Sequence, residues 1–96
     1  MNSRSSDEFK DEVEEAVGWY ASKSSQLGAR FRRAVNRSIV QVINHPKMYA
    51  KFDGEYRRNR VGKYPYGVVY RLDATEIFFS ALMHLHRKPG YWKGRR

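Results

Sequence analysis

Two apolar segments in the last third of the chain set the strongest limit on its fold: Gly67-Val68-Val69-Tyr70-Arg71-Leu72 and Ile77 to Met83. Both are rich in β-branched and aromatic residues. They are separated only by Asp73-Ala74-Thr75-Glu76, whose composition marks a turn, so two neighbouring antiparallel strands are expected. Glu55 to Val61 is a weaker third candidate. Alternation along Ile77 to Leu85 puts Ile77, Phe79, Ala81, Met83 and Leu85 on one face. Phe78, Ser80, Leu82, His84 and His86 take the other. The first face is expected to lie on helices and the second to stay partly open, with the histidines at its far end.

The first half of the chain has helical periodicity instead. Ser5-Ser6-Asp7-Glu8 has the spacing of a capping box, with Ser5 as cap and Glu8 reaching back. Phe9, Val13, Ala16, Val17 and Tyr20 then form an apolar face, with Asp11, Glu12, Glu14 and Glu15 on the other side. After a break at Ser22 to Ser25, the residues Leu27, Phe31, Ala34, Val35, Ile39 and Val42 make a second stripe, flanked by Arg30, Arg32, Arg33 and Arg37. Asn44-His45-Pro46 ends that helix, because proline disfavours helical geometry in the residue before it. The two helices are expected to form a hairpin, and Lys47 to Gly54 to form a loop.

A chain of 96 residues closes one hydrophobic core, so residues 1–96 are expected to be a single domain. With 41% hydrophobic residues and no cysteine, that core holds by packing alone, as is usual in a reducing cytoplasm. No apolar run is long enough to span a bilayer, and Met1 to Ser6 has no signal-peptide character, so a cytoplasmic protein is expected. The formal charge is +9. Residues 1–50 carry 8 basic against 6 acidic side chains, and residues 51–96 carry 11 against 4. The strand half thus holds most of the excess, a field that draws RNA, DNA or an acidic protein.

The order of local features is also informative. Glu14-Glu15-Ala16-Val17 and Trp19-Tyr20 are followed by Leu27-Gly28, His45-Pro46, Arg57-Arg58 and Tyr64-Pro65-Tyr66. Val68-Val69-Tyr70-Arg71, His84, Arg87, Pro89, Tyr91-Trp92 and Arg95 complete the series. In this order, from about Phe9 onward, the chain resembles the RelE/ParE superfamily of toxins from type II toxin–antitoxin systems, often described as plasmid-stabilisation proteins. The resemblance implies an α+β fold in which an N-terminal helical hairpin packs on one face of a small antiparallel sheet of three to four strands. It also implies a cognate antitoxin, a small acidic protein, as partner. The expected function is growth arrest by ribosome-dependent cleavage of mRNA, as in some members; the alternative target is DNA gyrase, which others inhibit without chemistry of their own.

Two features depart from the family pattern. Met1 to Ser6 lacks the alternation and bulk of the usual opening strand, so either the start lies elsewhere or the sheet lacks that strand and leaves an edge open. Gly67 stands where the nucleases tend to place an arginine beside the scissile phosphate, which counts against cleavage.

Metal-free RNA cleavage needs a base for the 2′-hydroxyl, an acid for the leaving oxygen and cations for the developing charge. The candidates here are Arg58 and Arg60 as a phosphate clamp, two apart on one strand face. His84, His86 or Tyr91 would move protons, with histidine best suited near neutral pH, and Arg87 would stabilise charge. Each has a plain structural reading too: Arg58 and Arg60 as a charged edge strand, His84 as a hydrogen-bonded surface histidine, and Tyr91-Trp92 as an anchor for the tail. His84 and His86 have the spacing of a strand metal site but no obvious third ligand, so no metal and no cofactor are expected.

Overall fold

The computed structural model describes all residues from Met1 to Arg96. Two helices pack on one side of a five-stranded sheet. Strand β1 is Asn2–Ser5, helix α1 Asp7–Ala21, helix α2 Ser25–Asn44, β2 Lys51–Asp53, β3 Tyr56–Arg60, β4 Tyr66–Leu72 and β5 Glu76–His84. The order across the sheet is β1-β5-β4-β3-β2, antiparallel throughout except that β1 runs parallel to β5.

The α+β class and the helical hairpin are as expected, but the sheet has five strands rather than three to four. Both additions are short edge strands. Lys51–Asp53 turns back on β3, within the segment expected to be a loop. Asn2–Ser5 lies along β5, so the edge expected to be missing is present. No alternation marks β1 because its side chains are exposed or half-buried and only its backbone joins the ladder. Arg4 alone adds a side-chain tie, pairing with Glu76 at 3.1 Å and stacking over the Phe78 ring.

Ser6, not Ser5, caps α1. Its hydroxyl accepts from Phe9 N–H at 3.0 Å and donates to Ser80 C=O at 2.9 Å, while its own N–H donates to Phe79 C=O. This one-residue shift makes Phe9, not Glu8, the third helical residue, so the expected capping box does not form. Ser24 caps α2 in the same way, accepting from Leu27 N–H. At the hairpin a Cβ on Gly28 would stand 2.7 Å from the Ala21 Cβ, so only glycine lets the two helices meet this closely.

The apolar stripes of both helices do face the sheet. Phe9, Ala16, Val17, Phe31, Val35 and Val42 are buried against Val61, Val68, Tyr70, Ile77, Phe79 and Leu82. Within this core Asn59 donates from its amide to the carbonyl and hydroxyl oxygens of Ser38, at 3.1 and 2.8 Å, fixing β3 to α2. Tyr70 is buried, and its hydroxyl donates to Pro46 C=O at 2.7 Å.

The expected faces of β5 hold for only half the strand. Tyr70 pairs with Phe79 and Val69 with Ala81, leaving Ser80 as an extra residue. This bulge reverses the alternation. Ile77 and Phe79 face the helices, but beyond Ser80 it is Leu82 that joins them, and Ala81 and Met83 turn to the opposite side. That side is not open. Trp92, fully buried, lies on Val69, Ala81 and Met83, with the rings of Phe52, Tyr56 and Tyr91 around it. The tail is therefore an anchor on the sheet.

Candidate functional site

A groove of about 440 Å³ and mixed character lies between α1 and the end of β5, lined on its apolar side by Ala16, Tyr66 and Leu82. Because the Ser80 bulge turns the end of β5 toward the helices, His84 faces into this groove. Its ring meets the Tyr66 ring edge-on at 5.2 Å, and its Nδ1 accepts from His86 N–H at 3.2 Å. The turn after β5, closed by Arg87 N–H donating to His84 C=O, returns Arg87 to the same groove. The Arg87 guanidinium stacks 3.7 Å above the Tyr91 ring.

Helix α1 supplies the facing wall with Glu12, Glu15 and the exposed Trp19. Glu12 does the most structural work. Beyond β1 the edge of β5 has no partner strand, and the Glu12 carboxylate accepts from Leu82 N–H at 3.2 Å. Arg95 grips the same carboxylate at 2.8 and 3.2 Å and also donates to Ser80 C=O at 3.1 Å. A pair of side chains thus closes a bare sheet edge. Sequence reading had assigned Glu12 to the solvent side of α1. The signal against that was its spacing: Glu12 lies three residues after Phe9 and four before Ala16, on their face, where a carboxylate needs a partner.

The five expected site residues do not converge. His84, Arg87 and Tyr91 share the groove. Arg58 lies on the other side of the sheet, its guanidinium 4.6 Å over the Phe52 ring and 3.9 Å from the Met83 sulfur. Its aliphatic stem crosses Gly67, where a Cβ would stand 2.7 Å from Arg58 Cγ. The glycine that replaces the nuclease arginine is therefore the floor on which Arg58 rests. Arg60 turns away from Arg58 and donates to Tyr64 C=O at 3.2 Å and Lys63 C=O at 3.3 Å. The expected Arg58–Arg60 clamp is not formed.

The groove's electrostatics are mixed, with two carboxylates beside one guanidinium and one imidazole. Burial, helped by nearby Glu12, raises the Tyr91 phenol above its ordinary range, against the opposing pull of Arg87 and Arg95. Burial also raises Tyr66, with Glu15 adding to it. Both phenols therefore stay protonated at neutral pH, and the Tyr91 hydroxyl is buried without a hydrogen-bond partner. A phenol held in its protonated form is not poised to act as a general base at neutral pH. His84 and Arg87 are the imidazole and the guanidinium that line the groove.

No helix of the protein is long and apolar enough to cross a membrane. No curated protein matches the chain. A family model described as the ParE toxin of the type II toxin–antitoxin system, parDE, matches residues 4–89. That span takes in both helices, all four antiparallel strands and the turn that carries Arg87. The chain belongs to the ParE toxin family of type II toxin–antitoxin systems.

Proposed function

We propose that this toxin arrests growth by binding a protein target, DNA gyrase, and not by cutting RNA itself. The observation that carries this reading is the division of the five candidate residues between two sides of the sheet. Arg58 is committed to Phe52 and Met83, Arg60 to the β3–β4 turn, and the Tyr91 hydroxyl is buried. Phosphoryl transfer needs its base, acid and cations around one phosphate, so three of the five groups would have to be rebuilt. Binding requires no such convergence. It needs only a surface, and the helical hairpin offers exposed Trp19 at one end and, at the other, Val40 and Ile43 with Met48 in the loop that follows.

Purified toxin added to gyrase and supercoiled plasmid is expected to trap linear DNA and to block supercoiling in proportion to toxin. Messenger cut at codon boundaries in a translating extract, with gyrase activity untouched, overturns the reading. The second reading, ribosome-dependent cleavage, draws on the pairing of His84 with Arg87 in an accessible groove. It requires that His84→Ala abolish cutting while the protein stays folded.

Family membership carries with it a cognate antitoxin. An acidic, partly disordered segment that folds on binding would match the basic charge and cover the apolar residues of the hairpin. Co-expression is expected to raise the toxin's solubility.

A further inference from the structure

Helix α2 and the β3–β4 turn bring five cations to one continuous surface. Arg30, Arg33 and Arg37 follow each other along the helix, and Lys63 and Arg60 rise beside them from the turn. All five are exposed. None of them has an acidic partner: the ion pairs of the molecule are Arg4–Glu76, Arg32–Glu14, Lys51–Glu55, Lys93–Asp53 and Arg95–Glu12. Arg60 is held in place by the turn carbonyls of Lys63 and Tyr64, which leave its charge uncompensated. Like charges gathered this closely repel one another, and an anion removes that penalty.

We infer that this surface binds the phosphate backbone of duplex DNA without reading its sequence. The composition of the two shallow depressions argues for phosphate over an acidic protein segment. Between the cations lie Ser38, Gln41 and Gly62, and the only apolar walls are Ala34 and the half-buried Tyr64. A peptide that folds on binding needs apolar anchors at helical spacing, and this surface has none to receive them. It also has no free aromatic platform. Tyr64 is engaged edge-on with Tyr20 and Phe31, so single-strand stacking is not served.

The shape favours DNA over duplex RNA. Arg30 to Arg37 covers roughly 10 Å of helix, and the major groove of B-DNA admits a helix whose flanking arginines reach phosphates, whereas that of A-form RNA does not. Guanidinium forks suit phosphate oxygens, and the phosphate backbone is alike in every sequence. This inference is independent of the target proposed above.

Fluorescence anisotropy with a labelled duplex of about 20 base pairs, between about 50 and 200 mM salt, tests it. With five phosphates engaged, the slope of log affinity against log salt is expected to be about −4.5, falling to about −2.7 in Arg33→Gln/Arg37→Gln. Lys10→Gln/Arg96→Gln removes the same charge elsewhere and should keep the wild-type slope. Circular dichroism checks that both variants are folded. Equal weakening by the two double variants overturns the assignment to this surface, as does absence of salt-dependent binding. Tighter binding of an RNA duplex or of polyglutamate would show that the surface takes a different anion.

Discussion

The two sides of the sheet are covered by different means. On the helix side twelve buried residues interlock, drawn from both helices, from β4 and β5, and from Val61 just after β3. On the other side the core has four, and one of these, Trp92, comes from a tail with no regular secondary structure. Its neighbours Lys93 and Arg95 fasten the tail to Asp53 and Glu12. An interlocked core loses stability as a whole when one of its members is truncated, whereas a lid seated through Trp92 is expected to detach as a unit.

The sharpest comparison is between Phe31→Ala and Trp92→Ala. Phe31 sits against the rings of Tyr20, Tyr64 and Tyr66, which cannot all close on a void, so about 5 kcal/mol of global stability should be lost in denaturant titration. Trp92→Ala should cost nearer 3 kcal/mol, because the tail can lift away instead of leaving a cavity. Limited proteolysis should then cut the Trp92→Ala variant between Lys88 and Arg95 while residues 1–84 stay protected. Cleavage spread evenly over the chain would break the contrast.

A smaller effect tests the join between the two sides. Glu12→Gln leaves an oxygen for Leu82 N–H but removes the charge that Arg95 grips, and about 2 kcal/mol should be lost. Faster hydrogen exchange at Leu82 with no change at Val68 would place the loss at the edge of β5. The smallest change is one of pH. Burial pushes the Tyr70 phenol up to about 12, so the fold favours its protonated form. That contribution is complete below the ordinary value of 10.0 and is lost as pH rises through 12. Tyr70→Phe should lose about 1 kcal/mol at neutral pH through the missing bond to Pro46, and should soften the alkaline fall in stability.

Much of the helix side could be read from the sequence because its elements bury periodic faces. The stripes from Phe9 to Tyr20 and from Phe31 to Val42, the end of α2 before Pro46 and the strands around Tyr70 and Phe79 all have local signals. The edge strands had none. Asn2–Ser5 joins by backbone alone, and Lys51–Asp53 is too short for a pattern. The candidate site was legible in part, since His84, Arg87 and Tyr91 lie within eight residues of the chain and line one groove. Its separation from Arg58 depended on the bulge at Ser80, which nothing in the order of residues announces. One inserted residue decided which side of the sheet His84 would face.

The clasp on Glu12 also bears on the order of folding. Its partner Arg95 lies 83 residues further along, and the Ser6–Ser80 bond spans 74. During synthesis α1 is complete long before either partner exists, and the hairpin must wait with a buried-to-be carboxylate in water. Contacts of such long sequence separation form late and slow the whole process. Helix pairing is thus expected to come early and closure of the β5 edge late, an order that pulsed hydrogen exchange at Leu82 during refolding would check.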